Sequence, residues 1–303
     1  MIRRVRGVAL ITAVLITALV GMVAANLAWD SALDMRRSTV LMDQDQALQI
    51  ALGAESWLQI VLHQDADDNA TDHLGEIWAG ELPVFPIEGG EVFGVIEDLQ
   101  GRFNINNLVD VNGSVNQDAL EQFERLLGAL GLDPRIAGIT ADWIDPDQEA
   151  GYPNGAEDAI YTGFIPPYRT PNEPISSIGE LAAIEGIDKV SLDILAPHIA
   201  AIPASSPTPV NVNTATAAVL QSLDSSITPS DVERLLADRE PSGFADLNTV
   251  TTLAPEANIS ESTEFFQLKL VVRIDTVRIT YFSVLMRDAQ GTTIPILRSI
   301  GTS

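Results

Sequence analysis

No charge interrupts residues 8–28, a run of 21 positions, and behind it Ala47, Ala51, Ala54, Leu58, Val61 and Leu62 recur at three- and four-residue steps. Such steps return side chains to one face of a helix, so the two stretches predict one long helix, apolar all round in front and amphipathic behind. At about 1.5 Å per residue, the uncharged run spans a hydrocarbon layer of about 30 Å. Residues 63–90 are rich in Asp, Pro and Gly and predict a linker. EVFGVIEDLQGRFNIN, residues 91–106, alternates apolar and polar positions around Gln100-Gly101 and predicts two short strands joined by a tight turn. Residues 114–261 carry helical runs such as ALEQFERLLGALGL, SIGELAAI and ATAAVLQSL. EFFQLKLVVRI, TVRITYFSVLMR and TIPILRSI then return to strand-like sequence rich in Val, Ile, Tyr and Phe. The fold class is therefore α+β: a long N-terminal helix and a small antiparallel sheet, interrupted by a large, mostly helical insertion.

Charge narrows the function. Against 17 basic residues stand 42 acidic ones, a formal net charge of −25, and such a surface repels phosphate backbones unless it carries a local basic patch. The clustered arginines, Arg3, Arg4 and Arg6, instead precede the apolar run, where they hold the start of a membrane helix on the cytoplasmic side and leave the remainder outside. A secretory signal cut after Val23-Ala24-Ala25, or an uncleaved anchor, would share these features; against both, the helical pattern continues well past the membrane edge. With no cysteine in 303 residues, disulfides and thiolate metal sites are excluded, which leaves an oxygen-ligated cation such as calcium as the available staple.

The densest chemistry lies in ADWIDPDQEAGYPNGAEDAIY, residues 141–161. Asp142, Asp145, Asp147, Glu149, Glu157 and Asp158 crowd six carboxylates among Pro146, Gly151, Pro153 and Gly155, which prevent a continuous helix. The spacing is not that of an EF-hand. A solvated acidic loop and a calcium loop both fit the residues, and mutual repulsion in a compact loop favours the cation.

The N-terminal junction carries a family resemblance. RVRG followed by VALITAVL resembles the leader of type IV pilins and pseudopilins, which implies cleavage by a prepilin peptidase between Gly7 and Val8 and methylation of the new terminus. Most members carry glutamate at the fifth mature position, where this chain has Thr12. A carboxylate in lipid is costly without a partner, so its loss suits a subunit with no neighbour above it. Together with the interrupted sheet and the acidic loop, these features resemble the GspK (general secretion pathway protein K) family of type II secretion minor pseudopilins over nearly the whole chain.

The resemblance implies a structural subunit, not an enzyme, at the tip of the pseudopilus. It divides the chain into a leader (1–7), a transmembrane part (8–28), a pilin-like helix and first strands (29–113), an inserted α-domain of SAM-like or helix-hairpin-helix-like modules (114–261), and C-terminal strands (262–303). It also implies a single pass through the inner membrane with the C-terminal domain in the periplasm, and minor pseudopilins I and J as partners. The secretin or exported cargo are further contacts. The helix face carrying Ala47, Ala51, Ala54 and Leu58 is expected to pack against the partners. Calcium is the implied cofactor, with Asp142, Asp145, Asp147, Glu157 and Asp158 as ligands and Asn172 added by the resemblance.

Rival readings are weaker. Asp145-Pro146-Asp147 matches the DxD of glycosyltransferases, but no alternating strand-helix pattern or glycine-rich loop builds a nucleotide domain. A type IV pilus minor subunit shares the leader and does not explain the insertion. His63, His73 and His198 are scattered and belong to no hydrolase motif. FNINN and VNVNT form an internal echo, and the second opens a helix-hairpin-helix-like segment. Its turn, LDSSITPS, lacks the glycines that let backbone amides approach a phosphate, so a packing role is favoured over nucleic acid. Trp29 falls at the membrane edge, where an indole anchors well.

Overall fold

The computed structural model describes residues 6–301, apart from 81, 152, 204 and 240; residues 1–5 of the expected leader lie outside the described residues. Helix α1 (Arg6–Asp68) is continuous for 63 residues, about 95 Å at the α-helical rise. Its most apolar stretch is not buried by any other part of the protein, and it is long and apolar enough to cross a membrane. From Ala47 onward one stripe turns inward: Ala47, Ala51, Glu55, Leu58 and Leu62 are all at most 1 % exposed.

The strands are β1 (Leu82–Ile87), β2 (Gly90–Asp98), β3 (Phe103–Asn104), β4 (Ile199–Ala200), β5 (Val210–Asn211), β6 (Ile259–Ser260), β7 (Phe265–Ile274), β8 (Val277–Arg287) and β9 (Thr293–Ile300). Five of them form an antiparallel sheet in the order β1-β2-β7-β8-β9. Phe266, Leu268, Leu270, Val272 and Ile274 alternate along β7 and face α1, as the two-residue period of a strand requires. Phe265 and Val284 join Leu99, Ala200 and Ile202 in a separate small core.

Strands β2 and β7 are neighbours, from Gly90 opposite Ile274 to Asp98 opposite Phe266. The chain leaves the sheet at Leu99, whose amide donates to Phe265 O at 3.0 Å, and everything between these two residues is the insertion. It contains α2 (Gln117–Ala129), α3 (Ile136–Ile144), α4 (Asp158–Tyr161), α5 (Lys189–Leu195), α6 (Ala217–Ser222), α7 (Pro229–Asp238) and α8 (Asn248–Leu253), around a core of its own. Asn116, Asp188 and Thr216 cap α2, α5 and α6, and Thr228 with Asp231 forms a capping box on α7, which satisfies amides that a helix start leaves free.

The Asn echo has a structural meaning. β3 pairs in parallel with β4, and β5 with β6; beside each pair a buried asparagine serves the backbone, Asn104 Oδ1 accepting the Ile202 amide at 3.0 Å and Asn213 Oδ1 the Phe244 amide at 2.9 Å.

Three expectations need correction. The linker is shorter than residues 63–90, because α1 runs to Asp68 and β1 starts at Leu82. The tight hairpin at Gln100-Gly101 does not form: Phe103–Asn104 pairs with β4, while β2 finds its partner in β7. The face carrying Ala47, Ala51, Ala54 and Leu58 is not open to other subunits, since Ala47, Ala51 and Leu58 are sealed against the protein's own sheet; Val40, Leu41, Met42, Trp57 and Ile60 are exposed apolar residues of this region.

Candidate metal centre

The acidic segment is held from behind by aromatic packing. Trp143 on α3 meets Tyr161 on α4 edge-on at 5.1 Å, and Tyr161 meets Tyr168 at 5.4 Å. The Trp143 indole donates to Glu180 at 3.1 Å and the Tyr168 hydroxyl to Ala183 O at 2.7 Å. This wall fixes the end of α3, so Asp142 and Asp145 enter the loop from a rigid base, and both are buried.

Not all the acidic side chains converge. Oxygens of Asp145, Asp147 and Glu157 lie within 4.8 Å of one another. Asn172 comes beside them, in a left-handed backbone conformation (φ 53°), with its Nδ2 donating to Asp147 O. Asp145 Oδ1, Glu157 Oε1 and Asn172 Oδ1 are buried and have no hydrogen-bond partner, a state that is costly unless something outside the chain fills it. Burial, then the charges of Asp147 and Asp142, push Asp145 up to about 6. Burial also pushes Glu157 up to about 7, although the Thr170 hydroxyl favours its charged form.

Asp142 and Asp158 have other tasks. Asp142 Oδ2 accepts the Gly151 amide at 2.9 Å, and burial raises its pKa. The loop closes so tightly on this carboxylate that a Cβ at Gly155 would stand 2.1 Å from Asp142 Oδ2. Asp158 pairs with Arg169 at 3.1 Å and accepts the Thr170 amide at 3.1 Å. Asp142 and Asp158 thus shape the loop, Asp145, Asp147 and Glu157 bring oxygens together, and Asn172 bonds to the Asp147 backbone beside them. Glu149 is exposed.

The remaining sequence candidates are dispersed. Gly7 lies in the first turn of α1 and Val8 is exposed. The Thr12 hydroxyl donates to Val8 O and Ala9 O, at 3.1 and 3.0 Å, so it satisfies itself inside its own helix, as a hydroxyl in lipid must. Histidines serve packing: His63 Nδ1 is 2.9 Å from Gly291 O and His198 Nδ1 is 2.7 Å from Thr216 Oγ1. Trp29 is 68 % exposed.

Two acidic centres escaped sequence reasoning. Glu55, in the apolar stripe of α1, is 1 % exposed and meets Tyr281, Ser283 and Arg298. Asp65, Asp72 and Glu76 gather around Arg287. An acidic residue at a core position of the helical repeat was the only local signal for the first. Nothing local marks the second, because its arginine is more than two hundred residues away in sequence.

Comparison with known proteins agrees with this architecture. A family model described as "Type II secretion system (T2SS), protein K" matches residues 101–204, and a second with the same description matches 210–273. The type II secretion system protein K of Pseudomonas aeruginosa is 34% identical, over 97% of this chain and 92% of that protein. That of Aeromonas hydrophila is 30% identical, over 99% of this chain and 98% of its own length. In fold, the chain is similar to a chain of the crystal structure of the GspK-GspI-GspJ complex from enterotoxigenic Escherichia coli. The TM-score is 0.77 at 23% identity, covering 88% of this chain and all of that one. Family models across the insertion and relatives aligned from end to end lead to one assignment: the chain belongs to the type II secretion system protein K family, and it is a minor pseudopilin of that system.

Proposed function

We propose that this subunit crowns the tip of the periplasmic pseudopilus, anchored by the front of α1 in the inner membrane, and acts mechanically rather than as a catalyst. The observation that carries this reading is the pairing of a bare, lipid-compatible helix front lacking an acidic side chain at Thr12 with a bulky insertion between adjacent strands β2 and β7. Every other filament position needs a subunit above it; a tip subunit does not need the carboxylate that would meet that neighbour. Prepilin peptidase cleaves between Gly7 and Val8, and the new terminus is methylated. Minor pseudopilins I and J are the partners, docked on the apolar surface around Leu41, Met42, Trp57 and Ile60, where Trp57 packs edge-on to Phe85 at 5.8 Å. The insertion then faces cargo or the secretin.

Intact mass of the chain recovered from membranes tests the processing step. The expected mass corresponds to a chain starting at Val8 with one added methyl group. A start at Asn26 would identify an ordinary secretory signal instead.

Calcium belongs to the same proposal. Three buried oxygens without partners, on Asp145, Glu157 and Asn172, and a donor set made only of oxygen fit a hard cation of calcium size. Asp145, Asp147, Glu157 and Asn172 would hold it, with Asp142 and Asp158 keeping the loop in shape. The ion supplies the positive charge that the loop lacks, and joins the end of α3 to the segment around residue 172. Calorimetric titration of the metal-free full chain in detergent should show calcium binding, weaker magnesium binding, and, in Asp145→Asn with Asp147→Asn, loss of the ion held by the acidic loop. No binding at about 1 mM calcium, the weak end for extracellular sites, would identify a solvated acidic loop.

A further inference from the structure

Helix α1 ends where the insertion rejoins the sheet, and this junction gathers charged side chains away from the acidic loop. Asp65 comes from the last turn of α1, Asp72 and Glu76 from the segment after it, and each brings a carboxylate oxygen within 4.8 Å of the others. Arg287, at the end of β8, supplies the guanidinium: Nη1 stands 3.4 Å from Asp65, and Nη2 bonds to Asp72 and to Thr263 O at 2.8 Å. Its guanidinium carbon also lies 4.9 Å from the centre of the Phe266 ring, so the cation is fixed on one side of the cluster.

One guanidinium against three carboxylates leaves the cluster short of positive charge. The deficit falls at a defined atom. Asp72 is 2 % exposed; its Oδ2 accepts the Thr263 amide at 2.6 Å and pairs with Arg287, while its Oδ1 is buried without any partner. An oxygen in that state, next to two further carboxylates, calls for a ligand that can approach it. Burial, with the charges of Glu76 and Asp72, pushes Asp65 up to about 7, which is the same deficit seen from another group.

His73 does not fill it. Its Nδ1 accepts the Gly75 amide at 3.2 Å, and its Nε2 lies 3.4 Å from Asn69 Nδ2 and 3.6 Å from Glu76, beyond a hydrogen bond to that carboxylate. The donors that remain are carboxylate oxygens, which select a hard cation over a transition metal.

We infer that Asp65, Asp72 and Glu76 form a second divalent-cation site, of calcium chemistry, at the junction of α1, the loop after it and the entry to β7. It is separate in residues from the acidic loop of the insertion. The ion would tie the last turn of α1 to Asp72. Asp72 is already fastened to both ends of the insertion's exit, through Thr263 and through the Glu261 carbonyl that accepts its amide at 2.9 Å. Asn211 of the insertion donates to Asp72 O at 3.1 Å. Loading of the site would thus stiffen the insertion against the long helix, independently of the acidic loop.

The test uses the full chain in detergent micelles with Asp145→Asn and Asp147→Asn, which silence the acidic loop. Titration with calcium chloride should still reveal binding of one ion, and adding Asp65→Asn with Glu76→Gln should weaken it at least tenfold. A second reading needs no further variant: the Trp78 indole donates to Glu76 at 2.5 Å, so its N–H resonance lies beside the site. Manganese chloride added to the loop-silenced chain should broaden the Trp78 signal and leave that of Trp29, in the membrane helix, sharp. Absence of residual binding in the folded, loop-silenced chain overturns the inference, as does binding that survives Asp65→Asn with Glu76→Gln. If that last variant does not fold, an unbroadened Trp78 signal under manganese overturns it alone.

Discussion

Glu55 is the side chain on which the long helix and the sheet are most tightly joined. It is buried, accepts the hydroxyls of Tyr281 at 3.0 Å and Ser283 at 2.5 Å, and pairs with Arg298 at 2.9 Å. Burial and the adjacent carboxylate push the Tyr281 phenol up to about 12, so it remains a donor throughout the physiological range. Glu55→Ala strands both hydroxyls, while Arg298, half exposed, rehydrates. The expected loss is about 3 kcal/mol, at the lower end for a broken buried pair. Urea unfolding checks it, with Asp67→Ala, on an exposed carboxylate, as the near-neutral comparison. A loss below about 1 kcal/mol would mean that the contact behaves as a surface pair.

Titration of the acidic loop has a definite sign. Asp145 and Glu157 are raised to about 6 and about 7 from ordinary values of 3.8 and 4.5, so the folded, metal-free chain holds their protons more tightly than the unfolded one. Their protonated forms add stability at low pH, and that stability falls as pH rises from the unfolded values through about 7. A cation needs the deprotonated carboxylates, so the calcium-induced rise in melting temperature should grow steadily from about pH 5 to pH 8. A rise that is the same at both ends would place the ion elsewhere. Gly155→Ala should remove the acidic loop's share of that rise, because the new Cβ overlaps Asp142 Oδ2 and opens the loop.

Among the elements, α1 shows why small residues were chosen. Ala47 and Ala51 are fully buried between helix and sheet, and a larger side chain there must push the two apart. Ala51→Leu should cost about 1–3 kcal/mol by overpacking, whereas Leu41→Ala, on the exposed side, should leave the chain's own stability nearly unchanged. Equal effects in denaturant unfolding would contradict the assignment of the two faces. The long helix and the three final strands were readable in sequence because their periods, 3.6 and 2, persist over many residues. The hairpin at Gln100-Gly101 was misread for a physical reason: β2 pairs with a strand beyond the whole insertion, and no local pattern records a partner so distant. The same distance hid the Arg287 cluster. In the acidic loop, composition exposed the carboxylates, but only folding separates Asp145, Asp147 and Glu157, which converge, from Asp142 and Asp158, which bind backbone amides.

For the molecule as a whole, the net charge of −25 keeps copies of the chain apart in solution, and the insertion lies away from the apolar front of α1, between the ends of β2 and β7. Both properties oppose a filament made of this chain alone and suit a single copy capping others. Native mass spectrometry of the full chain, co-expressed with minor pseudopilins I and J of its own secretion system and extracted in detergent with calcium, measures this. The expected result is one complex containing one copy of each of the three subunits. Recovery of the folded chain alone, or as a ladder of its own oligomers, would contradict its place at the tip.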